Sequence, residues 1–185
     1  GINPRVRIIP MWRDHFEFGR DWHRLKIFSP EMIDIIGPRF VSMDLDTVIC
    51  GNITKIFEGD APFKAWSDPY RRNQYCTALF QMDAGAFPHV YKEFDQKTAL
   101  MLRNSGMYTG YDQAWISHVL PSQDTWNGND GVYSFKADIV RGDEIVPGMK
   151  YSLPGNAKVI NFHGKYDPTN AEVIEACPWV KTFYK

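Results

Sequence analysis

Apolar and polar positions alternate along the chain in short blocks. Arg5 to Ile9 is a β-prone run stopped by Pro10 and predicts a strand. In Asp21–Phe28, the apolar Trp22, Leu25 and Phe28 stand at i, i+3 and i+6 with Asp21 ahead and Ser29-Pro30 behind, which predicts a short helix. Arg39–Met43 and Thr47–Cys50 read as two extended segments of one apolar run, interrupted by Asp44-Leu45-Asp46. Ile53–Phe57 reads as a helical turn, Phe63–Trp66 as a strand and Tyr75–Met82 as a longer strand. One helical stretch is expected from Pro88 to about Arg103, and another from Tyr111 to Leu120, stopped by Pro121. Ser122–Gly131 is rich in Gln, Asp, Asn and Gly and predicts an exposed loop. Val132–Phe135 and Ala157–Phe162 are late strands, and the tail is partly helical. Strands alternating with helices indicate an α/β protein, a sheet flanked by helices.

With 185 residues the chain fits one domain, residues 1–185, large enough for a real core. Lys plus Arg (21) nearly balances Asp plus Glu (22), so there is no electrostatic footprint for nucleic acid or an anionic membrane surface. Hydrophobic content of 44% argues against disorder. Cys50, Cys76 and Cys177 are an odd, widely spaced set with neither disulfide-framework nor zinc-finger spacing, so a reducing, cytoplasmic setting is expected. No run approaches the roughly 18 apolar residues of a membrane span. Aromatic residues make up 15% of the chain, enough to line a ligand cleft or simply to fill a core.

The acids of Met43-Asp44-Leu45-Asp46-Thr47 are the sharpest chemical feature. At i and i+2 of a strand both carboxylates point the same way, and so close together they repel unless one is protonated or a cation lies between them. A hard divalent ion, Mg2+ or Mn2+, resolves that repulsion and in turn holds phosphates. The competing reading is two solvated acids in a turn. Asn161-Phe162-His163-Gly164-Lys165 is a second constellation: a strand delivers His163 to its end, Gly164 permits close backbone approach, and Lys165 adds a cation. His163 suits a mixed carboxylate and imidazole metal site, or else a surface loop. Arg24 offers a bidentate fork for a carboxylate or phosphate. Asp112 is either a helix N-cap or a carboxylate presented to a substrate hydroxyl. Lys136 reaches phosphate or solvent. His15, His23, His89 and His118 show no ligand spacing.

Taken in order, Arg24-Leu25, Asp44-x-Asp46, Asp112-Gln113 and Phe162-His163-Gly164-Lys165 resemble the nucleotide-sugar glycosyltransferases of the GT-A fold, of the glycogenin and bacterial galactosyltransferase (family 8) type, over about residues 5–168. The resemblance implies that Asp44, Asp46 and His163 bind Mn2+ or Mg2+. It implies that Lys165, with Gly164 and Lys136, attends the diphosphate of a nucleotide-sugar donor. It places Arg24 and Asp112 at the donor sugar as catalytic groups, with a carbohydrate or other hydroxyl compound as acceptor. Trp66, Tyr70 and Trp126 are candidates to stack on sugar faces. Family members begin with a strand and loop that hold the nucleobase and ribose, and nothing ahead of Arg5 supplies that unit, so the chain is expected to be N-terminally truncated. Cys76 stands where relatives often carry an Asn. Two other readings compete. Asp44-x-Asp46-x-Val48 also fits a haloacid-dehalogenase-like Mg-dependent phosphatase with Asp44 as nucleophile. The third is a catalytically inactive sugar- or nucleotide-binding domain of the same fold.

Overall fold

The computed structural model describes residues 5–9 and 20–184; His15 and the start of the chain at Gly1 lie outside these. Two small mixed sheets carry the fold of the described residues. The first holds β1 (Arg39–Met43), β3 (Phe63–Ser67), β4 (Tyr75–Asp83) and β5 (Asp124–Trp126) in the order β1-β4-β3-β5. The second holds β2 (Thr47–Ile49), β6 (Val132–Ser134) and β7 (Val159–Asn161) in the order β2-β7-β6. Antiparallel pairs join β1 to β4, β3 to β4 and β2 to β7, while β3–β5 and β6–β7 are parallel.

Among the described residues six α-helices accompany the sheets: α1 (Met32–Ile36), α2 (His89–Lys92), α3 (Gln96–Asn104), α4 (Asp112–Val119), α5 (Ala171–Ala176) and α6 (Val180–Phe183). The expected Asp21–Phe28 helix is present as a 3-10 helix over Arg20–Phe28, and Phe135–Val140 forms a π-helix. Together these packed layers make the α/β architecture that the sequence indicated.

Three apolar clusters bind the layers. Trp22, Leu25 and Phe28 of the 3-10 helix pack with Phe63, Phe80 and Met82 of the first sheet and with Trp115 and Ile116 of α4. Ile56, Trp66, Leu79, Trp126, Val132 and Val159 join the first sheet to the second. Val48, Phe135, Ile160, Phe162, Val173 and Val180 join the second sheet to the π-helix, α5 and α6. The aromatic content therefore goes largely to the core: Trp66 and Trp126 are buried, and Phe135 stacks on Phe162 at 4.2 Å.

β4 is buried along nearly its whole length, as a central strand should be. Its register against β3 jumps between Ala65↔Phe80 and Trp66↔Cys76. Strict alternation would put Tyr75 and Phe80 on opposite faces. The jump supplies the missing odd step, and Tyr75 packs in the same cluster as Phe80. It also leaves Thr77–Leu79 out of the β3 ladder, free to meet β1 and its continuation: Met43 pairs with Leu79, and the Asp44 N–H donates to Ala78 O at 2.9 Å.

Several sequence expectations are corrected. Arg5–Ile9 forms no strand; Val6 and Ile8 are exposed, and the Arg7 guanidinium donates to Ile35 O. Pro88–Arg103 is two helices, because the Asp95 carboxylate accepts from the Thr98 N–H and so starts a new helix. The polar loop at 122–131 contains β5, which pairs with β3 through its backbone and buries only Trp126. Asp44 and Asp46 bracket the link between β1 and β2, where the interruption of the apolar run predicts them, so the strand rule that points both carboxylates the same way does not govern them.

Candidate functional site

The link from Asp44 to Asp46 crosses from one sheet to the other and is tied at each residue. Ala78 O accepts from the Asp44 N–H, the Tyr184 hydroxyl donates to Leu45 O at 3.0 Å, and the Phe162 N–H donates to Asp46 O at 3.3 Å. The Leu45 side chain, between the two acids, is 93% exposed, whereas both carboxylates are partly covered.

Around Asp44 the structure assembles residues far apart in sequence. The Arg24 guanidinium donates to the Asp44 carboxylate at 2.5 Å and to Thr77 O at 2.7 Å, and its Nε lies 3.5 Å from the Asp112 carboxylate. Asp112 is buried at the first turn of α4 and accepts from the Thr77 hydroxyl at 3.0 Å. It therefore does not cap its helix; it anchors Arg24 from below while Asp44 meets Arg24 from the open side. Among the described residues Thr77, Asp44 and Asp112 hold the guanidinium, which becomes a rigid group instead of a mobile surface charge. Thr77 has no signal in the sequence beyond its place in β4, and it is there because the register jump frees that stretch of strand.

Burial, and next the Asp44 carboxylate, push Asp46 above its ordinary range, with Asp167 adding to the effect and Arg24 opposing it. Asp167 itself is held low by hydrogen bonds from Thr169.

His163 follows β7 and is half-buried between Trp66 and Tyr70, whose ring centroids lie 6.3 and 6.1 Å away. Its Nε2 is 2.7 Å from the hydroxyl of the buried Ser134. Burial, with Lys136 next, holds the imidazole below its ordinary value, against the pull of Asp68 and Asp138. Gly164 sits at φ 73°, a conformation that favours glycine, and turns the chain after the histidine. Lys136 pairs with Asp143 at 2.6 Å, and the exposed Lys165 lies 3.5 Å from Glu144 and over the Tyr166 ring. Of the three stacking candidates, Trp66 and Trp126 are core residues and Tyr70 is 60% exposed. Tyr70 borders a cleft of ≈ 520 Å³ with Asp138, Arg141 and Asp143. Cys76 is partly buried, with its thiol pushed up to about 12 by burial.

The residues expected to hold Mn2+ or Mg2+ can be tested against this geometry. Among the described residues, no three His, Cys, Asp or Glu side chains gather into a group able to hold a metal ion. The arrangement shown does not fit one, since Asp44 spends its charge on Arg24 and His163 spends Nε2 on Ser134. No helix among the described residues is long and apolar enough to cross a membrane.

Comparison with known proteins locates the fold. No family model and no curated protein matches the sequence. Among solved structures, the galactosyltransferase LgtC in complex with donor and acceptor sugar analogues is similar at a TM-score of 0.54 and 11% identity, covering 89% of this chain and 67% of that one. The apo-form glycosyltransferase GlyE of Streptococcus pneumoniae TIGR4 is similar at a TM-score of 0.50 and 12% identity, covering 83% of this chain. The chain spans about two fifths of the length of GlyE, 40%. The mixed α/β fold is thus one it shares with glycosyltransferases.

Proposed function

We propose that the chain contributes to transfer of a sugar from a nucleotide-sugar donor to a hydroxyl acceptor, a carbohydrate or similar compound. The observation that carries this reading is the clamp of Arg24 by Thr77, Asp44 and Asp112, formed at the end of β1 on a fold shared with sugar-transferring enzymes. In such a transfer the bond from the anomeric carbon to the diphosphate breaks, and its electron pair leaves with the nucleoside diphosphate. The acceptor oxygen forms the new bond and loses its proton to a base. The chain's own groups suit recognition of the donor sugar. A clamped guanidinium places N–H donors rigidly beside it, and the exposed face of Asp44 offers an acceptor to sugar hydroxyls. The phosphatase reading needs Asp44 as a free nucleophile, and the guanidinium at 2.5 Å argues against that role.

The test is release of nucleoside diphosphate from a panel of nucleotide sugars, run with Mn2+, with Mg2+ and with a chelator. Turnover of one donor that falls at least a hundredfold in Arg24→Ala and in Asp44→Asn supports the reading. No turnover of any donor, together with unchanged nucleoside diphosphate binding in both variants, rejects it.

A further inference from the structure

The hydroxyl of Ser134 poses a question of hydrogen-bond accounting whose answer fixes the chemistry of His163. Ser134 ends β6 and is fully buried. Its backbone N–H donates to the Asp138 carboxylate at 2.7 Å, and its Oγ accepts from the Ala137 N–H at 2.9 Å as the π-helix begins. That leaves the hydroxyl with a hydrogen to place, and the Nε2 of His163, 2.7 Å away, is the remaining partner. If Nε2 carried a proton, Oγ would have to accept twice while its own hydrogen stayed buried without an acceptor, which is unfavourable. If the hydroxyl donates to Nε2, every group at Ser134 is satisfied. The ring proton then sits on Nδ1, for which no protein acceptor exists among the described residues.

We propose that Ser134 is a positioning residue that locks His163 as the neutral Nδ1–H tautomer, so that His163 meets an anionic ligand oxygen as a hydrogen-bond donor and does not serve as a metal ligand. Metal ligation would need an unprotonated ring nitrogen, and the only one is already taken by a buried hydroxyl. Trp66 and Tyr70 flank the ring and limit its rotation. That the anion is the diphosphate of a sugar donor rests on the sugar-transfer reading; the tautomer does not.

The experiment is a long-range proton–nitrogen NMR spectrum of histidine-labelled protein, with the His163 signals assigned by their loss in His163→Gln. An amine-type Nδ1 with an imine-type Nε2 is expected; the reverse pattern overturns the proposal. Ser134→Ala should release the ring into a mixture of tautomers while Ser134→Thr, which keeps the hydroxyl, preserves the wild-type pattern. A merely structural serine would leave the tautomer unchanged in both variants, which also overturns the proposal. Inorganic pyrophosphate should shift the Nδ1 signal of the wild type, and pyrophosphate binding without that shift rejects the donor role. Free Mn2+, counted by electron paramagnetic resonance, should titrate alike to within twofold in wild type and His163→Gln; a tenfold loss of affinity in the variant makes His163 a ligand and ends the argument. Failure of the sugar-transfer reading would show separately, as silence across the nucleotide-sugar panel with the tautomer result intact.

Discussion

Replacing Asp112 by Asn swaps one carboxylate oxygen for an amide of the same shape in a buried position. Asp112 is 5% exposed, whereas the side chains of Asp44 and Arg24 are 33% and 28% exposed. The substitution leaves an acceptor for the Thr77 hydroxyl but removes the charge facing Arg24 Nε at 3.5 Å. Breaking a fully buried pair costs about 3–5 kcal/mol. Here Arg24 keeps its bonds to Asp44 and to Thr77 O, so the expected loss is smaller, about 2 kcal/mol, in line with a charge-assisted hydrogen bond. For a protein of this size, that lowers the melting temperature by roughly 4–8 °C. Asp44→Asn, at a half-open position, should cost under about 1 kcal/mol. Thermal unfolding followed by circular dichroism checks both. If the two variants melt together, or Asp112→Asn melts with the wild type, Asp112 does not anchor the guanidinium and the account of the clamp is wrong.

Asp46 gives a pH signature. Its folded-state value is raised, so it contributes stability while protonated and loses that contribution as pH climbs through the raised value. Asp46→Asn should therefore melt higher than the wild type at neutral pH, with the gap closing below the ordinary carboxylate range; a gap constant with pH contradicts this. The Cys76 thiol, at about 12 against an ordinary 9.0, should be alkylated at pH 8 about a thousandfold more slowly in the native protein than in the unfolded chain, read by mass spectrometry. Equal rates would show that burial does not hold it. Gly131 has φ 86°, and a Cβ there would meet Asn156 O at 2.4 Å, while at Gly142 nothing lies within 4 Å. Gly131→Ala should lower the melting temperature by several degrees and Gly142→Ala hardly at all, since left-handed strain alone costs roughly 1–2 kcal/mol.

The elements legible in the sequence are those whose apolar pattern is itself the reason they form. β4 and β7 are runs that the core buries, β1 sets Phe40 against it, and α4 presents Trp115 and Ile116 to it. β5 was hidden because Asp-Thr-Trp adds one core side chain and otherwise pairs by backbone alone. α1 was hidden because Met32 is its only buried residue. The π-helix starts with a serine cap that no apolar period announces. At the site, Asp44, Asp46 and His163 stood out because acids and a histidine interrupt apolar runs. Arg24 and Asp112 are separated in sequence by 88 positions, so only resemblance to a family linked them, and the register jump in β4 is what lets Thr77 hold both. Ser134 was silent, because a serine after a strand is common and its partner lies 29 residues on.

The link between Asp44 and Asp46 has a mechanical meaning. Asp44 is pinned by backbone to β4 of the first sheet and Asp46 to the β7 end of the second, with one residue between them. A change in the angle between the sheets would strain this three-residue link, and the Trp66–Val159 cluster that joins the same two sheets resists it.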